Sequence, residues 1–151
     1  MDVQAAHETL TKYLKQTRRL RATPERYAVL DAVLESQGHF DAEGLYYRML
    51  SGGVRISRAT VYNTLELLQE CGLVSKYRFT ESASRYEKAF GRPHHHHMVC
   101  LECGDIIEFI SDRLDRVQED LCAEKSFSLQ NSTLQIFGTC SKCAKKEYSR
   151  G

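Results

Sequence analysis

The chain contains 151 residues, of which 42% are hydrophobic, and it carries a formal net charge of +1 and six cysteines. This length corresponds to one or two small domains with a buried core. There is no apolar run long enough to cross a bilayer and no signal peptide at the N-terminus, so we expect a cytoplasmic protein without a membrane partner. In a reducing compartment the cysteines are expected to bind metal rather than to form disulfides.

Positive charge is concentrated near the N-terminus, although the net charge is close to zero. Residues 12–26 contain Lys12, Lys15, Arg18, Arg19, Arg21 and Arg26, with Glu25 as the single acidic side chain. A cluster of this size is typical of a surface that contacts nucleic-acid phosphates. The alternative is the solvated end of a charged helix.

Three N-terminal helices are predicted from their caps and apolar spacing. Residues 2–16 form a polar helix, and Thr23-Pro24 supplies the N-cap and the first position of the next. The apolar stripe of that second helix, which ends before Gly38, consists of Tyr27, Val29, Leu30, Val33 and Leu34. Asp41 caps a third, short helix, which ends at Gly52-Gly53.

A fourth helix is predicted over residues 57–71, with Ser57 as its N-cap and Gly72 after its end. Its buried face consists of Val61, Leu65 and Leu68. Residues 73–80 and 84–89 are then predicted as two strands joined by a polar turn. Helices followed by a two-stranded ribbon are typical of a winged helix-turn-helix, in which the fourth helix is the recognition helix.

The outward face of the predicted recognition helix carries side chains suited to reading bases. It consists of Arg58, Ala59, Tyr62, Asn63 and Glu66. In the major groove an Asn can pair with adenine, and a Tyr can contact thymine methyl groups and phosphates. The alternative is an ordinary amphipathic helix whose Tyr62 is half-buried against the wing.

Two C-x-x-C pairs form the most specific motif of the chain. They are Cys100 with Cys103, and Cys140 with Cys143. Each knuckle turns two sulfurs toward one point, and two knuckles complete a tetrahedral shell for structural Zn2+. Gly104 suits the tight turn after the first knuckle, where a positive φ is needed. A disulfide framework and buried free thiols are the alternatives, and the lack of a secretory signal favours zinc.

Four consecutive histidines, His94 to His97, precede the first knuckle. In an extended segment successive side chains point to opposite faces, so the first and third share one face and the second and fourth share the other. Imidazole binds Zn, Fe, Ni and Cu alike, and the two pairs leave room for up to two metals beside the zinc. A solvated polar tract and a purification tag are the alternatives, although a tag normally lies at a terminus.

Two domains are expected, and the fold class is α+β. Residues 1–89 form a winged-helix DNA-binding domain, and residues 94–151 form a dimerisation and metal-binding domain. The hinge lies at about residues 86–93, where Arg92-Pro93 marks the boundary.

The C-terminal domain is predicted as a small α+β unit held by zinc. Residues 105–110 form a strand, Asp112 caps a helix, and residues 127–137 form a long strand that Gly138 turns into the second knuckle. The apolar positions of the helix are Leu114, Val117 and Leu121. Because helix-turn-helix proteins usually bind two half-sites as dimers, this domain is expected to form the dimer.

Over nearly its whole length the chain resembles the ferric uptake regulator (Fur) family of metal-dependent repressors. The motifs that carry the resemblance are Ala59-Thr60-Val61-Tyr62, His39-x-Asp41-Ala42-Glu43, Tyr86-Glu87, the run from His94 to Cys103, Gly104-x-Ile106-Ile107-Glu108-Phe109 and Gly138-x-Cys140-x-x-Cys143. The resemblance implies a homodimer that binds double-stranded DNA at an AT-rich palindromic operator. It also implies structural Zn2+ on the four knuckle cysteines.

A regulatory metal at the hinge is a further implication of the resemblance. The implied ligands are His39, Glu87, His95, His97 and Glu108. Fe2+ is the expected metal, with Mn2+, Zn2+ or Co2+ as substitutes. Because the ligands come from both domains, metal binding would shift the population toward a closed shape that is competent for DNA.

The family often has another metal site on the opposite face of the histidine ribbon. Its positions here are His94, His96, Asp115 and Ser132. His96 replaces the Asp that is usual between the histidines, and Ser132 stands where a His ligand is usual. This doubtful third site therefore has three ligands and an open fourth position.

The resemblance also implies the DNA-contacting residues. They are Arg21, Ser57, Arg58, Thr60, Tyr62 and Asn63. Arg21 stands where relatives place a basic residue that enters the minor groove. Asn63 stands where many iron-sensing members have Arg and peroxide-sensing relatives often have Asn. Glu87 and Glu108 stand where peroxide sensors tend to have Asp, and these metal-contacting carboxylates favour metal sensing.

From these features we expect a repressor of metal uptake or homeostasis genes that acts without enzymatic activity and without a small organic substrate. A peroxide-sensing regulator of the same fold is the alternative. A metal-dependent hydrolase is a remote alternative, because the carboxylates beside the histidines would be used as ligands and no separate base is placed.

Overall fold

The computed structural model describes residues 2–79 and 84–148. The chain divides into two compact units, Met1–Arg92 and Pro93–Gly151. Residues 80–83, which contain the expected turn of the wing and the last residue of its predicted first strand, lie outside the described residues. Residues 149–151 lie outside them as well. None of the helices in the described ranges combines the length and the hydropathy of a membrane span.

Four α-helices form most of the described N-terminal unit. They are α1 (Val3–Tyr13), α2 (Pro24–Glu35), α3 (Ala42–Ser51) and α4 (Arg58–Glu70), and a π-helical turn, Leu14–Arg18, continues α1. The predicted caps are confirmed for α3 and α4. The side chain of Asp41 accepts a hydrogen bond from the Gly44 amide, and that of Ser57 accepts one from the Thr60 amide.

These helices bury an apolar core. Its fully buried members include Leu10, Leu14, Val29, Leu30, Val33, Leu45, Val61, Leu65 and Leu68. The predicted buried face of α4 is therefore confirmed, and each side chain of this kind contributes roughly 1.5–3 kcal/mol when it leaves water. Because that face is anchored, the opposite face of α4 is held toward solvent.

A two-stranded ribbon follows α4, as predicted. Strand β1 (Val74–Tyr77) pairs antiparallel with β2 (Arg85–Lys88). Phe40, which precedes α3, forms a bridge to Tyr86 of β2, with N–O distances of 2.9 and 2.7 Å. This bridge fixes the segment before α3 against the second strand of the ribbon.

The C-terminal unit contains a three-stranded sheet and two helices in its described residues. They are β3 (His96–Cys100), β4 (Ile106–Phe109), α5 (Asp112–Glu124), β5 (Gln135–Gly138) and α6 (Ser141–Tyr148). β3 is the central strand, antiparallel to β4 and parallel to β5. The predicted α+β class, with a separate sheet unit, is confirmed.

Two expectations for this unit are wrong in detail. The long strand over residues 127–137 is restricted to β5, because β3 offers a partner only from His97 onward and each residue of β5 pairs with one of β3. The N-cap of α5 is Ser111 and not Asp112. The Ser111 hydroxyl accepts a hydrogen bond from the Leu114 amide, and Asp112 becomes the first helical residue.

Apolar side chains are exposed on both layers of the C-terminal unit. No residue of α5 is buried, and Val117 and Leu121, one turn apart, are 53% and 52% exposed. On the sheet, Met98 lies between Ile107 and Ile136 in one cross-strand row, and all three are at least 40% exposed. An apolar face of this kind is characteristic of a protein–protein interface.

Candidate metal centres and nucleic-acid interface

Four cysteine sulfurs converge in the C-terminal unit. Cys100 ends β3, and Gly104, at φ +76°, completes the turn after Cys103. Cys140 precedes α6, and Cys143 lies in its first turn. The Sγ atoms of Cys103 and Cys140 are 3.8 Å apart, and the four sulfurs all lie within 4.8 Å of one another.

This geometry and donor set fit a tetrahedral zinc ion. With Zn–S bonds of about 2.3 Å, neighbouring sulfurs of a tetrahedral shell are about 3.8 Å apart. Backbone amides of Cys103 and Cys140 hydrogen-bond to Cys100 and lower its pKa to about 6, whereas the neighbouring Cys140 side chain raises the pKa of Cys143 to about 12, so one thiol ionises first and a bound cation would favour ionisation of the others. The thiolate is the form that binds metal. All six cysteines of the chain are free thiols, so the disulfide alternative is not realised.

The N-terminal unit contributes a buried His–Glu pair. His39 Nε2 lies 3.3 Å from Glu87 Oε2, and these side chains are 11% and 1% exposed. The bridge between Phe40 and Tyr86 explains the proximity, because His39 and Glu87 are the neighbours of the two bridged residues in sequence. Imidazole and carboxylate together suit divalent metals such as Fe2+, Mn2+ and Zn2+.

The Glu87 carboxylate is charge-compensated in this structure. Arg92 donates to Glu87 Oε2 at 2.8 Å. Tyr77 also hydrogen-bonds to Glu87, and burial together with this bond raises the pKa of Tyr77 to about 12. A buried carboxylate requires such partners, since an uncompensated buried charge is strongly unfavourable.

The C-terminal unit holds the other three predicted regulatory ligands near one another. The rings of His95 and His97 have centroids 4.9 Å apart, as strand alternation predicted. His97 lies opposite Glu108 in the β3–β4 register, and His95 Nε2 lies 4.0 Å from Glu108 Oε1. The structure therefore provides two clusters, a pair in the first unit and a triplet in the second.

The residues of the doubtful third site are also grouped. Asp115 Oδ1 lies 3.1 Å from His96 Nε2 and 3.6 Å from His94 Nε2. Ser132 lines a cavity together with His94, Asp115 and Gln118. The Gln118 Oε1 atom is buried and has no hydrogen-bond partner among the described residues, so it is a possible oxygen ligand that the sequence did not indicate.

The hydrogen bonds of His96 oppose its use as a ligand. Its Nδ1 accepts a hydrogen bond from the Leu134 amide at 3.2 Å. A neutral imidazole with one accepting nitrogen carries its proton on the other, so Nε2 donates to Asp115. A metal on Nε2 would have to displace this proton.

The outward face of α4 is arranged as predicted. Arg58, Tyr62 and Asn63 are exposed, and Tyr62 keeps 41% of its surface accessible. Its hydroxyl donates to Glu43 of α3 at 3.3 Å. An exposed fraction of 41% is compatible both with base reading and with a tyrosine half-buried against the ribbon, so both interpretations stay open.

The remaining DNA candidates lie at the N-terminal end of α4 and before α2. The Ser57 hydroxyl caps α4 and also hydrogen-bonds to the Thr60 hydroxyl at 2.9 Å, so both side chains have a structural role there. Arg21 is exposed, and its carbonyl oxygen accepts a hydrogen bond from Arg26. Arg26 and Arg55 line a groove with Ser57 and Thr60. Glu25 also lines this groove, so the two arginines leave it an excess of one positive charge at the N-terminus of α4, where a phosphate can bind.

Three residues with contacts in these sites were not predicted from the sequence. They are Arg92 beside Glu87, Glu43 beneath α4 and Arg55 in the basic groove. Arg55 and Arg92 are isolated charges without a periodic pattern, and the motif that contains Glu43 does not indicate its partner. Tertiary contacts alone place all three residues.

Comparisons with known proteins agree with the fold and with the predicted family. The ferric uptake regulator family model matches residues 17–137. The chain is 34% identical to the peroxide operon regulator of Bacillus subtilis over 95% of this chain and 98% of that protein. It is 38% identical to the ferric uptake regulation protein of the same organism over 84% and 87%, respectively. The solved structure of the Helicobacter pylori ferric uptake regulator Fur, described as having three functional metal-binding sites, covers 95% of each chain with a TM-score of 0.80 and 25% identity.

A winged helix-turn-helix joined to a sheet unit with grouped metal ligands defines the class of metal-responsive transcription regulators. Within this class, the chain belongs to the ferric uptake regulator family. The predicted resemblance is thereby confirmed. The branch stays open, since an iron regulator and a peroxide regulator are similar to the chain at comparable identity.

Proposed function

We propose that the chain is a cytoplasmic repressor of metal uptake or homeostasis genes, which binds an AT-rich palindromic operator as a homodimer when a regulatory site holds Fe2+. Mn2+, Zn2+ or Co2+ substitute for iron in vitro. The observation that carries this proposal is the division of the ligand set. His39 and Glu87 belong to the unit with α4, while His95, His97 and Glu108 belong to the unit with the sheet.

Neither cluster alone offers a full coordination shell. A pair or a triplet leaves positions open on a metal that prefers four to six ligands. We propose that the two clusters together ligate one divalent ion, whose charge of +2 balances the two carboxylates. The ligands then bind it most tightly in the conformation that brings both sets together, so the metal shifts the population toward that conformation.

The other metal sites have supporting roles. Cys100, Cys103, Cys140 and Cys143 hold a structural Zn2+ that joins β3 to the start of α6. The cluster of His94, His96 and Asp115 is proposed as a weaker third site, with Gln118 as an additional oxygen ligand and with the proton on His96 as the competitor.

A homodimer is supported by the exposed apolar face of the C-terminal unit. α5 presents Val117 and Leu121, and the sheet presents the row through Met98. A second copy of the chain would cover this face and place two α4 helices on two half-sites. DNA contacts are proposed for Arg21, Ser57, Arg58, Thr60, Tyr62 and Asn63.

The proposal excludes an enzymatic role. Glu87 is already engaged by Arg92 and Tyr77, and Glu108 lies among the histidines, so neither carboxylate is available as a base. Steady hydrolysis of a model ester by the zinc-loaded protein would contradict this part of the proposal.

The test is DNA binding with and without metal. Zinc-replete protein is mixed with a duplex that it selects from a randomised pool, and fluorescence anisotropy is recorded with and without Mn2+. We expect the affinity to rise about 5- to 150-fold with Mn2+. The variant His39→Ala should lose most of this gain, whereas His7→Ala, at a histidine outside the clusters, should keep it. Equal affinity with and without metal would contradict the proposal.

Peroxide sensing is a second candidate function. It is favoured by Asn63 and by the similarity to the peroxide operon regulator. In that case bound Fe2+ would drive oxidation of a ligand histidine. Mass spectrometry of the iron form after peroxide treatment distinguishes the two, because only the peroxide sensor should gain one oxygen on His39 or His95.

A further inference from the structure

The carboxylate of Glu43 contacts both large side chains of the recognition surface. Arg58 Nε lies 3.2 Å from Glu43 Oε2, and the Tyr62 hydroxyl donates to Glu43 Oε1 at 3.3 Å. Glu43 belongs to the first turn of α3, while Arg58 and Tyr62 lie one turn apart on α4. One carboxylate therefore joins the two helices of the helix-turn-helix on their exposed side.

The Arg58 guanidinium has further partners on α3. One terminal nitrogen donates to the Tyr47 hydroxyl at 2.7 Å, and the guanidinium carbon lies 4.7 Å from the centre of the Tyr46 ring. A guanidinium held by hydrogen bonds and by stacking on a ring keeps one orientation and retains unused N–H donors. Arg58 is thus fixed before DNA arrives.

A carboxylate on a DNA-facing surface is unfavourable by itself, because it repels phosphates. Glu43 is 44% exposed and Arg58 is 53% exposed, so both side chains are within reach of a ligand. The pairing with Arg58 cancels the repulsion between Glu43 and the phosphates. It also neutralises Arg58, which then no longer attracts phosphates as a free cation. An exposed pair of this kind is weak, so it biases Arg58 away from loosely held phosphates and still lets a base edge that binds the guanidinium more tightly displace Glu43.

We propose that Glu43 is a positioning residue for DNA recognition, which presents Arg58 and Tyr62 in a fixed geometry to base edges and withholds Arg58 from non-specific phosphate contacts. This inference rests on the proposed DNA-binding function. It assigns specificity to a residue that would not contact the DNA itself.

The variant Glu43→Gln tests the inference through the salt dependence of binding. A released Arg58 becomes a free cation in each protomer, and each phosphate contact adds about 0.9 to the slope of log K against log salt. We expect the slope of the dimer on an unrelated duplex to become steeper by about two. Affinity for that duplex should rise several-fold, and the ratio of specific to non-specific affinity should fall about tenfold.

Two matched variants control for the loss of one negative charge. Glu35→Gln removes an exposed carboxylate from the end of α2, outside α3 and α4, and should leave the slope within about half a unit of the wild type. Arg58→Gln alone leaves Glu43 unpaired, so it should weaken binding to both duplexes without making the slope steeper. Added to Glu43→Gln, Arg58→Gln should return the slope to the wild-type value, which a merely structural role of Glu43 would not produce.

All proteins are full-length, zinc-replete and loaded with Mn2+, and both duplexes are titrated from 50 to 300 mM salt. If wild-type protein binds the selected duplex but Glu43→Gln has the same slope and specificity ratio as Glu35→Gln, the inference is wrong. If wild-type protein does not prefer the selected duplex with Mn2+, the proposed function itself fails. A Glu43→Gln protein with a lower melting temperature and an unchanged slope would show only the helix-dipole role of a first-turn carboxylate.

Discussion

Arg92 is a single residue whose charge bears directly on metal binding. Its guanidinium lies 2.8 Å from the buried Glu87 carboxylate, which is a proposed metal ligand. Before metal enters, this cation provides the compensation that the buried carboxylate requires. A divalent ion must therefore compete with Arg92 for Glu87.

Replacing Arg92 by Gln should strengthen binding of the exchangeable metal. We expect the dissociation constant for Mn2+ to fall about threefold to tenfold, which corresponds to roughly 1 kcal/mol for displacing the partly exposed Arg92 guanidinium from the buried carboxylate. Isothermal titration of zinc-replete protein measures the change. Arg85→Gln, which breaks the exposed pair with Asp41, is the control and should leave Mn2+ binding unchanged. Weaker Mn2+ binding by Arg92→Gln would show that Arg92 supports the site instead of competing for it.

Whether the sequence predicts an individual site residue depends on whether its partners lie at a fixed local spacing. The four cysteines were found from the sequence because each knuckle brings two sulfurs together by local geometry. Strand alternation likewise predicted the ring pairs of His94 with His96 and of His95 with His97. Glu43 and Arg92 were missed as site residues because their partners depend on tertiary packing that no local pattern encodes.

Helix α4 is the proposed recognition helix, and the side chain of its N-cap makes one hydrogen bond to the backbone of the helix. Ser57 Oγ accepts from the Thr60 amide at 3.1 Å. We expect Ser57→Ala to lower the free energy of unfolding by about 1 kcal/mol. Chemical denaturation followed by circular dichroism measures this loss. Ser51→Ala, at the exposed end of α3, is the control, and equal stability of the two variants would contradict the capping role.

Element prediction succeeded where burial and caps agree. α4 was predicted with its cap, its buried face and its end, because one face of the helix lies on the core. β5 was predicted too long, since the alternating residues before Gln135 have no strand to pair with. Sequence periodicity indicates which residues can form a strand, but pairing decides where the strand begins.

The exposed apolar residues of α5 and of the sheet bear on how whole molecules associate with one another. We expect the double variant Val117→Glu, Leu121→Glu to be monomeric at concentrations where the wild type is a dimer, because charged residues at an apolar interface are costly to desolvate. Sedimentation velocity over a range of concentrations gives the dissociation constant of the dimer. This constant should rise more than about 100-fold, which corresponds to a loss of about 3 kcal/mol of binding free energy. Leu50→Glu, an exposed apolar position on α3, is the control. A double variant that remains dimeric would locate the interface elsewhere.

The central claim is that one regulatory metal ion takes ligands from both units of the chain. X-ray absorption of zinc-replete protein with one equivalent of Co2+ tests it most directly, by counting imidazole ligands around cobalt. We predict that His39→Ala and His97→Ala, in different units, each remove one imidazole from the same cobalt shell. A cobalt shell that His39→Ala leaves unchanged, while His97→Ala reduces it, would contradict the claim.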